Sequence, residues 1–87
     1  MDVMKEFFEK VRHDQRIGPW HISLFAAIVV RPCEDGYYRV GKRRLAETSK
    51  VWGKTTYYKC LKELVEYGYL EYWPERDGRS AVRVRWR

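Results

Sequence analysis

The sequence predicts an α+β chain, mainly α-helical with a small β-sheet, in the order α-α-β-α-α-β-β, the first helix being an addition at the N-terminus. Apolar residues recur at helical spacing through the first three quarters of the chain. Strict alternation of apolar and charged residues replaces that spacing near the C-terminus. An Asp-Gly pair, Asp77-Gly78, stands between two alternating runs and marks a hairpin. With 87 residues, 45% of them hydrophobic, the chain suffices for one domain with one modest core, residues 1–87.

The first segment, Asp2 to about Asp14, carries Val3, Met4, Phe7, Phe8 and Val11, which gives one apolar helix face. Residues 1–16 are therefore read as an N-terminal helix. Its apolar stripe is wider than one small core needs, which makes it the expected dimerisation element. Covering its own core is the simpler alternative. Gly18-Pro19 breaks the chain, and proline suits the first turn of a second helix. Trp20, Leu24, Phe25, Ala27 and Ile28 are expected on the buried side of that helix, and Pro32 ends it.

"RPCEDG" reads as a loop and "YYRV" (37–40) as a short strand. "GKRRLAETS" makes a short helix with Leu45 and Ala46 inward and Lys42, Arg43 and Arg44 outward. "KVWG" is a turn in which Gly53 caps the next helix, from about Lys54 to Tyr67. Tyr57, Cys60, Leu61 and Leu64 face inward there, and Gly68 suits the left-handed C-terminal position. In the final hairpin Leu70 and Tyr72 share one side of a strand, and Val82, Val84 and Trp86 one side of another. Arg83, Arg85 and Arg87 take the opposite side, where they read best as charges protecting an edge strand from aggregation.

Charge is distributed unevenly. Met1 to Asp35 holds five Lys/Arg against six Asp/Glu, a balance of −1; Gly36 to Arg87 holds thirteen against six, a balance of +7. Such a concentrated basic excess suits a polyanionic partner, although a solvated basic surface would look the same by composition. Residues 2–10 include acids, and no apolar leader core follows, so a cytoplasmic protein with no membrane span is expected. Cys33 and Cys60 are far apart, with no ligand cluster at metal spacing. His13 and His21 lack an evident Ser or Cys partner in the sequence. No catalytic, cofactor, metal or small-molecule site is expected.

From Trp20 onward, "RRLAETSKVWGKTTYYKCLKELVEYGYLEY", the charged turn and "SAVRVRW" together resemble a winged helix-turn-helix domain of the kind found in MarR-type bacterial regulators. A short helix carries Leu-Ala, the turn carries one apolar residue (Val51), and the second helix starts with threonines. That helix ends in the L-x-x-x-G-hydrophobic pattern of Leu64, Gly68 and Tyr69-Leu70. Residues 19–87 would form this unit. The sequence has no counterpart of the long C-terminal dimerisation helix of full MarR-type regulators, and looks more like the small winged-helix proteins of bacterial mobile elements and phages. The resemblance implies binding to double-stranded DNA and transcription regulation, with a homodimer reading paired half-sites. A role in excision or replication of a mobile element, and a protein-docking winged helix, are alternatives.

The residue chemistry can be read independently. If the inward set is as above, Lys54, Thr55, Tyr58, Lys59 and Lys62 project from one side of the helix. Lysine can donate to guanine, and threonine can meet a thymine methyl. Thr55 and Thr56, near the helix start, can donate to phosphate or simply cap. Arg76 and Arg79 flank the hairpin tip, while Lys42, Arg43 and Lys50 are candidate phosphate contacts from the preceding helix and turn. Exposed aromatics such as Tyr58, Trp52 and Trp73 would alternatively suit RNA or single strands.

Overall fold

The structure, a computed structural model, describes residues 2–76 and 79–86. Among them are four helices and four strands: α1 (Val3–Val11), α2 (Pro19–Val29), β1 (Cys33–Glu34), β2 (Tyr37–Gly41), α3 (Lys42–Ser49), α4 (Lys54–Glu66), β3 (Leu70–Pro74) and β4 (Arg79–Val84). The strands form one antiparallel sheet in the order β1-β2-β4-β3. The class is α+β.

Local chemistry accounts for the helix ends. Asp2 caps α1 by accepting the Met4 N–H at 2.9 Å. Pro19 opens α2, and the His21 ring reaches back so that Nδ1 accepts the Gly18 N–H at 2.9 Å. Gly68 at φ 87° closes α4, and the Tyr69 N–H returns to the Leu64 carbonyl at 2.9 Å. Lys50 ends α3 at φ 64°, a left-handed conformation that costs a side-chain-bearing residue roughly 1 kcal/mol.

One continuous core joins the helices to a single face of the sheet. Phe7, Leu24, Phe25, Ile28, Leu45, Leu64, Leu70 and Val82 are fully buried at its centre. Phe7 stacks on Phe25 with centroids 3.8 Å apart, and Phe25 stacks in turn on Trp86 at 5.9 Å. The Trp86 indole N–H donates to Glu6 Oε1 at 2.7 Å, so residues from both ends of the chain close over the same ring stack. The Val3, Phe7 and Val11 side of α1 is thus turned toward its own core, while Phe8 stays 49% exposed.

Several expectations change. The loop after α2 contains β1, whose Cys33 and Glu34 pair with Tyr38 and Tyr37 across the turn at Asp35-Gly36. Trp20 is 62% exposed instead of joining Leu24 and Phe25; the buried residue of the first turn of α2 is His21. β4 lies between β2 and β3, so Arg83 is not on an edge strand, and it faces Glu71 of β3 at 3.9 Å. Arg85 follows the end of β4, and Arg87 lies outside the described residues, as does the Asp77-Gly78 turn. No helix of the described residues is long and apolar enough to cross a membrane.

Candidate nucleic-acid interface

Helix α4 has two faces because its apolar residues recur every three or four positions. Tyr57, Cys60, Leu61 and Leu64 are buried, and Lys54, Thr55, Tyr58, Lys59 and Lys62 are exposed. Thr55, Tyr58, Lys59 and Lys62 fall on one stripe. Thr56 departs from the group: it is half-buried and leans over Gly53, where an added methyl would meet Thr56 Oγ1 at 3.4 Å. Lys62 pairs with Glu66 one turn on at 3.8 Å, both exposed, an arrangement worth only about 0.3–0.5 kcal/mol. A phosphate could displace that partner readily.

A second cationic surface lies between the start of α3 and the β3–β4 hairpin. It is an open groove whose walls carry Lys42, Arg43 and Arg44 on one side and Arg76 and Arg79 on the other, with Arg39 and Arg31 along β2 and the end of α2. Glu47 and Glu75 are the acids among the described lining residues. Both are engaged by arginine: Arg43 faces Glu47 at 3.6 Å, and Arg39 holds both Glu75 oxygens at 3.0 and 3.1 Å.

Lys42 joins the two surfaces. Its Nζ stands 5.5 Å from the centre of the Tyr58 ring, so the groove and the open stripe of α4 are continuous. Of the residues proposed from sequence, Lys42, Arg43, Arg76 and Arg79 gather in the groove, and Lys54, Thr55, Tyr58, Lys59 and Lys62 on α4. Lys50 is exposed but sits at the far end of α3, about 12 Å from Lys42 by helical rise. Arg31, Arg39 and Arg44 were missed. Arg44 was legible as an outward residue of "KRR"; Arg39 and Arg31 enter only because β2 pairs with β4, and because the Arg31 Nε–H donates to the Arg39 carbonyl at 3.3 Å.

The charge order along these helices runs against their dipoles. α3 begins with Lys42, Arg43 and Arg44 and α4 with Lys54; neither has an acid in its first turn or a base in its last. A cation at a helix N-terminus is repelled by the dipole, by roughly 0.3–1 kcal/mol at low salt, so this order favours a bound anion over the empty fold.

A different convergence lies between α2 and α4. Ligand-capable atoms of His21, Cys60 and Glu63 fall within 4.8 Å of one another, and nothing in the sequence spacing signalled it. The hydrogen bonds decide its character. Since Gly18 N–H donates to Nδ1, the neutral ring carries its proton on Nε2, which donates to Glu63 Oε1 at 2.9 Å. Neither ring nitrogen keeps a free lone pair for a metal or for the Cys60 thiol. Cys60 is buried, and burial pushes its pKa up, away from the reactive thiolate. Glu63, which also accepts from Tyr67 Oη at 3.1 Å, is held below the usual carboxylate range chiefly by the His21 bond. The trio ties α2 to α4 and thereby fixes the attitude of the exposed α4 stripe.

No protein-family model, no curated protein and no solved structure matches the chain, so the reading of this interface rests on its own geometry and chemistry.

Proposed function

We propose that the protein binds double-stranded DNA in a sequence-specific manner, as a winged helix-turn-helix regulator of transcription. In this reading α3, the turn through Lys50 and α4 are the helix-turn-helix. The exposed stripe of α4 enters the major groove, and the β3–β4 hairpin acts as the wing on the backbone or minor groove. Lys54, Thr55, Lys59 and Lys62 reach base edges or flanking phosphates; Lys42, Arg43, Arg76 and Arg79 grip the backbone. The observation that carries the reading is the continuity of two cationic surfaces through Lys42 and Tyr58, both opening from helices whose charge order runs against the dipole.

A homodimer on an inverted site is part of the proposal, with a constraint. A contact through α1 would rest on Phe8, since Val3, Phe7 and Val11 turn inward.

Fluorescence anisotropy of a labelled random-sequence duplex tests the reading. Binding is expected at micromolar concentration or tighter at low salt. Log K should fall linearly with log[salt], with a slope of about −0.9 per phosphate neutralised. Weak binding that does not change with salt would overturn the reading and leave protein docking as the alternative.

A further inference from the structure

We infer that the open face of the sheet is a second nucleic-acid surface, which stacks an unpaired stretch of DNA. This extends the duplex-binding proposal to a different ligand form and a different face, and its test fails separately from that of the first.

The strand register defines the face. Tyr38, Val82 and Tyr72 lie side by side toward the core, so the alternate residues point away from it. One outward row reads Arg39, Ala81, Trp73 across β2, β4 and β3. The small Ala81 in the centre leaves room above the sheet between an arginine and a tryptophan. From the neighbouring position on β2, Tyr37 leans over β4 to meet Trp73, with ring centres 5.4 Å apart and planes at 65°. An edge-on pair cannot cover both faces of both rings, and Tyr37 and Trp73 remain 36% and 42% exposed.

The surrounding charge selects the occupant. Arg39 and Arg79 belong both to this face and to the basic groove beside α3, so a phosphate backbone leaving the groove can continue onto the sheet. Among the described residues three acids lie on the face: Glu75 and Glu71 are matched by Arg39 and Arg83, and Glu34, the β1 partner of Tyr37, stands at the outer side away from the basic groove. Paired bases hide their flat faces within the duplex; an unpaired base offers one to an aromatic side chain, whatever its sequence. Two exposed rings, each with an open face and with arginines beside them, have that chemistry, whereas a protein partner would need a wider apolar patch than two rings.

The test uses the full chain with a labelled oligothymidine of about 15 nucleotides, the matching oligouridine RNA and a DNA duplex. Each probe is titrated against the native protein, Trp73→Ala, Trp73→Phe and Lys59→Ala. Trp73→Ala should weaken oligothymidine binding roughly tenfold or more and leave duplex binding within about twofold. Trp73→Phe, which keeps a ring, should recover most of the loss, and Lys59→Ala should show the opposite selectivity. If Trp73→Ala does not fold, Tyr37→Ser carries the same comparison. Equal weakening of single strand and duplex by Trp73→Ala would overturn the inference, as would no weakening. Failure of the native protein to bind any single strand would overturn it too and leave the face to a protein. Tighter binding to the RNA would overturn the choice of DNA. Loss of duplex binding with oligothymidine binding intact would instead overturn the duplex proposal and support this one.

Discussion

Arg44→Glu should make the protein more stable and a poorer DNA binder at once. Arg44 is the third residue of α3, exposed, with Gly41 as N-cap and no acid in the first turn. Removing a cation from that position relieves a repulsion of about 0.3–1 kcal/mol, and placing an anion there adds an attraction of similar size. Against this stands Glu47, one turn on, whose repulsion with a new glutamate costs roughly 0.2–0.5 kcal/mol. The net expectation is about 1 kcal/mol, which for a domain of this size raises Tm by about 4–8 °C at low salt. The gain should shrink as salt is added, because the dipole interaction is screened. Thermal unfolding by circular dichroism at two ionic strengths measures it, with Arg44→Gln as the charge-neutral midpoint. Duplex affinity should fall by about tenfold, and the salt slope should become shallower by about one. An unchanged or lower Tm would refute the argument from reversed charge order, and an undiminished affinity would remove Arg44 from the interface.

Other outcomes follow from the same geometry. Phe7→Ala should cost about 3–5 kcal/mol in urea unfolding, a large share of the stability of a small domain; a loss under about 1 kcal/mol would mean that α1 is not integral to the core. Asp14 is held far below its ordinary 3.8, first by the Arg16 guanidinium and then by the Tyr69 hydroxyl, which donate to it at 2.8 and 2.6 Å. Its folded pKa is depressed, so its stabilisation is complete above the ordinary value and is lost as pH falls below about 4. Asp14→Asn should flatten unfolding free energy against pH in that acid range, and an unaltered pH profile would show that the network contributes nothing. In the native protein a thiol reagent should label exposed Cys33 rapidly and buried Cys60 only after denaturation, so two fast equivalents would contradict the packing of α4.

The comparison between sequence and structure turns on distance along the chain. Helix faces were legible because the 3.6-residue period is local: Tyr57, Cys60, Leu61 and Leu64 could be assigned inward, and the α4 stripe outward, without knowing what either meets. Gly68 declared the end of α4 for the same reason, since left-handed backbone is a property of one residue. Trp20 was misjudged because periodicity reports direction around a helix and not which neighbouring element packs against a given position; in the first turn of α2 it is His21, bonded to Glu63 of α4, that is buried.

What only the tertiary structure decided is strand order and the neighbours it creates. Alternation says which strand residues share a face, but not that β2 inserts its edge against β4 and makes β4 central. That pairing brings Arg39 beside the hairpin, aligns Arg39, Ala81 and Trp73 in one row, and lets Arg39 reach Glu75. The joining of His21 to Glu63 is of the same kind. The chain by itself therefore determined its helices, their two-sidedness and a basic C-terminal part, all encoded within one or two turns of backbone. The groove and the aromatic face arise from contacts between residues distant in sequence, which depend on how the elements pack around one core.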